Sequence, residues 1–202
     1  MSRFFSDVFL ALVHYPVTNK RGEVVVTALT TLDLHDISRA AVTYGVRGFY
    51  VVTPLDAHKE LAARMWRHWT EGYGSTYNPL RGEALRNSRV VDTVADAVAA
   101  ATREAGRPPV VVATTARDVS RPRLSYEVLR RQLQESGGAY LLLFGTGWGL
   151  AEEILLKADQ VLDPIYGPTP YNHLSVRSAV AITLDRLLGL RGGEENFRQG
   201  TE

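Results

Sequence analysis

The apolar residues of this chain come in short unbroken runs rather than in alternation. Val8-Phe9-Leu10-Ala11-Leu12-Val13, Phe49-Tyr50-Val51-Val52, Val110-Val111-Val112-Ala113 and Ala139-Tyr140-Leu141-Leu142-Leu143-Phe144 are apolar at every position. A strand covered on both faces reads this way, and such strands belong to parallel sheets. Val24-Val25-Val26, Val90-Val91 and the stretch ending at Leu162 are shorter candidates. Between the runs the spacing turns helical. Residues 31–44 put Leu34, Ile37, Ala40 and Ala41 on one face, with Thr31 or Asp33 as the cap and Gly45 as the stop. Thr53-Pro54 starts a helix through 69, and further helices cover 93–105, 125–135 and 175–188. The last carries Val176, Val180, Leu184 and Leu187 in one stripe. Residues 72–79 form a long polar loop. Strands alternating with helices predict an α/β fold with a mostly parallel sheet flanked by helices. Ligands of such sheets sit beyond the strands' carboxyl ends, here after Val13, Val52, Ala113, Phe144 and Leu162.

Composition narrows the picture. The chain has 202 residues, 45% of them apolar, enough for one domain over residues 1–190 with a polar tail over 191–202. A net charge of +1 makes no global case for nucleic acid or membrane. The absence of cysteine excludes thiol chemistry and fits a cytoplasmic protein. No signal peptide is read at the start, and no apolar run approaches the roughly 18 residues that span a bilayer.

The stretch 140–182 holds the candidate chemistry. Its apolar run ends in Gly145-Thr146-Gly147-Trp148-Gly149-Leu150 and leads into a helical segment. Glycines there allow positive φ and close approach, and the turn is expected to expose bare amides to a ligand. The spacing is one residue short of the dinucleotide fingerprint G-x-G-x-x-G. It also comes too late in the chain for the glycine loop of a Rossmann-type methyltransferase. Taken alone, it also fits a plain strand-to-helix turn.

The wider pattern carries a resemblance. Leu143-Phe144-Gly145-Thr146-Gly147-Trp148-Gly149-Leu150, then Pro164-Ile165-Tyr166-Gly167, then Tyr171-Asn172-His173-Leu174-Ser175-Val176-Arg177-Ser178-Ala179, is similar to the SPOUT superfamily of S-adenosylmethionine-dependent RNA methyltransferases. It looks closest to a little-characterised bacterial branch with tRNA guanine-N1 methyltransferase-like relatives. Ala11-Leu12-Val13-His14-Tyr15-Pro16-Val17, Leu32-Asp33-Leu34-His35-Asp36-Ile37, Tyr44-Gly45-Val46 and Tyr77-Asn78-Pro79 extend the likeness toward the N-terminus. The resemblance implies a C-terminal trefoil knot whose loops hold S-adenosylmethionine. The cofactor would meet Thr114 and Thr115, then Gly145, Thr146, Gly147, Trp148, Gly149 and Leu150, then Ile165, Tyr166, Gly167, Asn172, Leu174 and Ser178.

The remaining polar residues are less specific. Arg64, Arg67 and Arg81 stand among Trp66, Trp69 and other aromatics and are the candidate RNA contacts, because arginine neutralises phosphate and aromatic rings stack on unpaired bases. The same segment also reads as an amphipathic helix with solvated arginines and buried tryptophans. Arg117, Arg121, Arg123, Arg130 and Arg131 read as a solvated face. No histidine and carboxylate spacing suits a metal, so none is expected.

Methyl transfer to nitrogen or oxygen needs positioning and a proton acceptor, and Asp36, His173 and Arg177 are the candidates. The expected protein is a homodimer paired through the knot, a partner covering the last helix's apolar stripe. His173 and Arg177 would then face Asp36 or Arg81 of the other subunit. Two rival functions remain, a catalytically silent knotted RNA-binding or assembly factor and another nucleotide-binding α/β enzyme.

Overall fold

The computed structural model describes residues 6–135 and 137–191. In chain order its strands are β1 (Asp7–Val13), β2 (Val17–Thr18), β3 (Val24–Val25), β4 (Gly48–Val52), β5 (Ser88–Val91), β6 (Val110–Thr114), β7 (Ala139–Gly145) and β8 (Gln160–Leu162). Six of them build one sheet in the order β5-β4-β1-β7-β6-β8, and every pairing in it is parallel. β2 and β3 pair as a separate antiparallel hairpin. The helices are α1 (Thr31–Thr43), α2 (Asp56–Thr70), α3 (Tyr73–Tyr77), α4 (Pro79–Arg86), α5 (Val94–Ala105), α6 (Tyr126–Glu135), α7 (Glu152–Lys157) and α8 (Val176–Leu188).

The apolar runs of β1 and β7 are buried on both faces because helices cover both. Val8, Leu10 and Leu12 join Leu34 and Ile37 of α1, Leu129 of α6 and Leu184 of α8 in one layer. Phe9, Ala11 and Val13 face the other way, onto the alanines of α5 and onto Ile154 and Leu155 of α7. Each fully buried leucine contributes about 1.5–3 kcal/mol over its exposed state. Small residues on α5, held in register by the Thr93–Asp96 capping box, let that helix lie close to the sheet.

The C-terminal third crosses earlier chain. β8 pairs with β6 along one edge and meets Leu124 along the other. Leu124 N donates to Val161 O at 2.8 Å, and Asp163 N donates to Leu124 O at 2.9 Å. Residues 115–123 therefore pass across the end of β8. Arginines fasten this crossing: Arg121 Nη1 donates to Leu155 O at 2.5 Å and Ala158 O at 2.9 Å, and Arg123 Nη2 donates to Arg117 O at 2.6 Å. Beyond β8 the chain runs through a loop into α8, which packs on both α1 and α6.

The structure corrects several expectations. The stripe of α8 is covered within the chain: Val180, Leu184 and Leu187 are buried against α1 and α6, so it needs no partner. Residues 72–79 are not a loop but α3 and the start of α4, with Asn78 capping α4 and Pro79 in its first turn. The cap of α1 is Thr30, not Thr31 or Asp33, and α2 begins at Asp56 rather than at Thr53-Pro54. Arg117, Arg121, Arg123 and Arg130 turn inward onto carbonyls, leaving Arg131 as the exposed member of that region. The expected tail from 192 onward lies outside the described residues. Among the described residues no helix is long and apolar enough to cross a membrane.

Candidate functional site

A cleft of about 800 Å³ opens beyond the carboxyl ends of β6, β7 and β8. Three segments wall it, and residues 27–28 with Asp33 close one side. The first is the end of β6, where Thr114, Thr115 and Arg117 line the space. Thr114 Oγ1 donates to Leu143 O at 2.9 Å, which holds this wall against β7.

The second wall is the glycine turn after β7. Gly147 and Gly149 take φ of 61° and 99°, which side chains resist. A Cβ at Gly145 would collide with Leu150 N and lie 2.7 Å from Gly149 C, so the chain can double back only at glycine. Three amides of the turn are not bare, contrary to expectation, while that of Gly147 has no backbone partner. Trp148 N donates to Thr18 O at 2.9 Å, Gly149 N to Thr146 O at 3.0 Å and Thr146 N to Val13 O at 3.2 Å. Thr18 N returns a bond to Gly149 O at 2.9 Å, so the hairpin of β2 and β3 straps the turn down.

Beneath the strap lies a buried polar cluster. Thr146 Oγ1 donates to Val13 O at 3.0 Å and makes a short hydroxyl contact with Thr27 Oγ1. Thr27 Oγ1 in turn lies 3.2 Å from His14 Nδ1. His14 is fully buried and its Nε2 has no partner. Burial pushes its pKa down to about 4, against an opposing pull from Asp33 and with a further push from His58. The imidazole is therefore neutral at neutral pH.

The third wall is the crossover from β8 to α8, where Ile165, Asn172, His173 and Leu174 line the cleft. Among the described residues no amide from 165 to 175 finds a backbone partner. Most of the free donors expected at the glycine turn stand here instead. His173 is exposed and packs edge-on to Tyr171 at 5.5 Å between centroids.

Asp33 is the carboxylate that sequence reasoning passed over as a mere cap. It sits at the third position of α1, buried, and lines the cleft. Thr30 Oγ1 donates to its Oδ2 at 2.6 Å while Asp33 N donates back to Thr30 Oγ1 at 3.1 Å. Arg177 Nη1, from the first turn of α8, meets Asp33 Oδ1 at 2.7 Å, and Arg177 Nε lies 3.3 Å from Asp36 Oδ2. The Thr30-x-x-Asp33 spacing of a capping box was the signal that could have placed it.

The structure thus brings most of the expected residues together. Thr114, Thr115, Gly145, Thr146, Gly147, Trp148, Gly149, Ile165, Asn172, His173 and Leu174 all line one cleft. Leu150 does not; it is fully buried and bridged to Val17. Tyr166, Gly167 and Ser178 are exposed outside the cleft wall. Asp36 is exposed and reaches Arg177 within the same chain, where sequence reasoning places the two on opposite sides of a subunit boundary. Arg81 also belongs to this chain's own helical layer: it stacks on Trp69 at 4.5 Å, and α4 packs on α1. Arg64 and Arg67 are exposed on α2. Among the described residues no cluster of three or more histidine or acidic side chains is placed to hold a metal.

Comparison with known proteins places the chain in a family. A tRNA (guanine-N(1)-)-methyltransferase of Oleidesulfovibrio alaskensis is 45% identical over 183 residues, which is 91% of this chain and 42% of that protein. The chain therefore spans less than half the length of that relative. An uncharacterised protein of Aquifex aeolicus is 40% identical over 90% of this chain and 88% of its own length. Among solved structures, the SpoU methyltransferase AviRb of Streptomyces viridochromogenes in complex with AdoMet shares the fold, with a TM-score of 0.52 and 19% identity over 91% of this chain and 57% of that one. Residues 7–189 match the model of the SAM-dependent RNA methyltransferase family, to which this chain belongs.

Proposed function

We propose that the cleft binds S-adenosylmethionine and that the chain transfers its methyl group to a base nitrogen or ribose oxygen of RNA. The observation that carries this reading is a buried carboxylate, Asp33, on the wall of a cleft built from three loops at one sheet edge. The residues present fit the cofactor. Phe144, Ile165 and Leu174 offer apolar surface to an adenine, and the unpartnered amides of residues 165–175 offer donors to its ring nitrogens. Thr114, Thr115 and the turn from Gly145 to Gly149 complete the walls. When bound, the cofactor supplies an electrophilic methyl group on a sulfonium.

The chain's own residues supply positioning and a proton acceptor. Asp33 can accept the N–H or O–H proton of the RNA nucleophile, and Arg177 fixes its orientation from α8. Thr30 holds the second oxygen, so one carboxylate geometry is enforced. His173, at the cleft mouth, is placed to contact the substrate base.

The crossing of residues 115–123 over β8 supports a trefoil knot. Tyr166, Tyr171 and Leu174 are 65%, 71% and 46% exposed on the crossover, which supports a homodimer paired through that region. The relative's tRNA guanine-N1 specificity is named for a protein more than twice as long, so tRNA is the first substrate to test rather than a settled one. Calorimetry with S-adenosylhomocysteine and a labelled methyl-transfer assay on unmodified tRNA and rRNA test the proposal together. Absence of binding would refute the cleft assignment. Binding without transfer to any RNA would favour a catalytically silent RNA-binding factor.

A further inference from the structure

The polar loop read from the sequence is an ordered helical unit carrying an unusual surface. In α3, Tyr73 and Tyr77 are 75% and 74% exposed, and their rings stack on each other at 6.0 Å and 24°. Leu80 at the start of α4 is 75% exposed. The tryptophans of α2, by contrast, are turned to packing. Trp66 Nε1 donates to Ser88 Oγ at 2.9 Å, and Trp69 is held between His35, His68 and the guanidinium of Arg81. The rings available to a partner are therefore the tyrosines.

The unit is rigid. A Cβ at Gly74 would lie 2.7 Å from Trp69 Cε3 and 2.8 Å from His68 O, and one at Gly82 would collide with Trp69 O. Both glycines let α3 and α4 sit directly on α2. The neighbouring helices carry free positive charge: Arg64 and Arg67 of α2 and Arg86 of α4 are exposed, and among the described residues none has a carboxylate partner. The unit also joins the cleft by an unbroken run of contacts. Arg81 stacks on Trp69, Trp69 meets His35 of α1 at 5.4 Å, and the next residue, Asp36, pairs with Arg177, which clamps Asp33.

We infer that α3 and the exposed, arginine-bearing faces of α2 and α4 form a stacking platform for an unpaired RNA segment flanking the methylated nucleotide. Exposed aromatic rings that stack bases and unpaired guanidiniums that neutralise phosphates are the features that recognise single-stranded RNA. Duplex RNA hides its base faces, so it gains nothing from the tyrosines. This inference rests on the proposed RNA methyl transfer.

The test compares wild type with a Tyr73→Ala/Tyr77→Ala variant and an Arg64→Ala/Arg67→Ala/Arg86→Ala variant. The probes are a twelve-nucleotide unstructured oligoribonucleotide, a duplex of the same length, unmodified tRNA and S-adenosylhomocysteine. Wild type should bind the single strand more tightly than the duplex. The tyrosine variant should lose at least about tenfold in affinity for the single strand, since stacking on one ring is worth roughly tenfold or more. It should raise KM for tRNA with kcat little changed and keep its S-adenosylhomocysteine affinity. The arginine variant should flatten the dependence of single-strand affinity on log salt by about two units, at roughly 0.7 per phosphate contact. Wild-type affinity in the tyrosine variant, or equal binding of single strand and duplex by wild type, overturns the platform. So does a wild-type protein that binds neither RNA probe. The cofactor reading is judged separately, because it falls only if S-adenosylhomocysteine fails to bind wild type.

Discussion

Two loops face each other across the cleft, and they are built in opposite ways. The glycine turn after β7 is mostly closed: three of its amides bond to Val13, Thr146 and Thr18, and a hairpin straps it. The crossover from β8 to α8 is open: its amides from 165 to 175 have no backbone partners among the described residues, and its side chains are largely exposed. A wall that is already satisfied sets the shape of a pocket. A wall with unspent donors can adapt to a ligand and bond it. Under the proposed function the first would serve as a template and the second as the gripping side, which leads into Arg177 and its ion pair with Asp33.

The sharpest way to break this comparison is to spoil the template. Gly145→Ala places a Cβ against Leu150 N and within 2.7 Å and 3.0 Å of Gly149 backbone atoms, none of which can swing aside. Removing that overlap requires shifting β7 or the strap. A loss of about 3 kcal/mol or more in urea unfolding is expected, well above an ordinary surface change. Wild-type stability would mean the turn is looser than its hydrogen bonds say.

Next in size is Asp33→Asn, which keeps the shape of the side chain and removes its basicity. If Asp33 takes the proton, kcat should fall by about a hundredfold or more, the usual scale of general-base loss. S-adenosylhomocysteine affinity should stay within about threefold, because asparagine keeps the shape that Asp33 presents to the cleft. A loss of cofactor binding with normal kcat would move Asp33 from chemistry to construction.

How much of this was legible beforehand differs between the two loops. The strand run before Gly145 and the glycines themselves announce a tight turn, because period and composition are local signals. The strap is not legible, since nothing in Val17-Thr18 states which carbonyls it will meet some 130 residues later. The same limit hid Asp33. Its capping role is local, but its partner Arg177 comes from α8, brought near only by the tertiary path through β8. The polar composition of residues 72–79 concealed α3 because Gly74 and Gly82 are there for close packing on Trp69 rather than for flexibility. Conversely, the stripe on α8 was read correctly as apolar and assigned the wrong cover, for sequence alone could not show α1 and α6 closing over it.

The cluster under the strap gives the third prediction. The folded pKa of His14, about 4, lies below the ordinary value of 6.5. Above pH 6.5 the ring is neutral folded or unfolded, and no stability is lost. As pH falls from 6.5 toward 4 the unfolded chain takes up a proton that the fold refuses, so stability drops. One pKa unit is about 1.4 kcal/mol, so roughly 2 kcal/mol should disappear between pH 7 and 5. His35 and His58 are also lowered by burial and act in the same direction. Comparing wild type with His14→Asn isolates one residue: the variant should start weaker and lose about 2 kcal/mol less over that range in urea titrations. Equal losses would show that His14 is hydrated in solution, and the strap would then be no tighter than the loop opposite.

The smallest effect belongs to the open loop and uses the same substitution as the largest. Gly167 has no heavy atom within 4 Å of an added Cβ, and its φ is not in the positive range. Gly167→Ala should therefore change unfolding free energy by no more than about 0.5 kcal/mol, the range of surface changes away from special features. Any shift is expected toward greater stability, because alanine restricts the unfolded chain more than glycine does. Gly167 lies outside the cleft wall, so S-adenosylhomocysteine affinity should hold as well. Hydrogen exchange supplies the second readout: amides from 165 to 175 should exchange fast in both proteins without ligand and slow together when S-adenosylhomocysteine binds, while those of residues 146, 148 and 149 are protected throughout. Protection of the crossover before ligand is added would erase the distinction between template and grip. A strongly destabilised Gly167→Ala protein would do the same, since it would mean the crossover is packed against surfaces that leave no room for a methyl group.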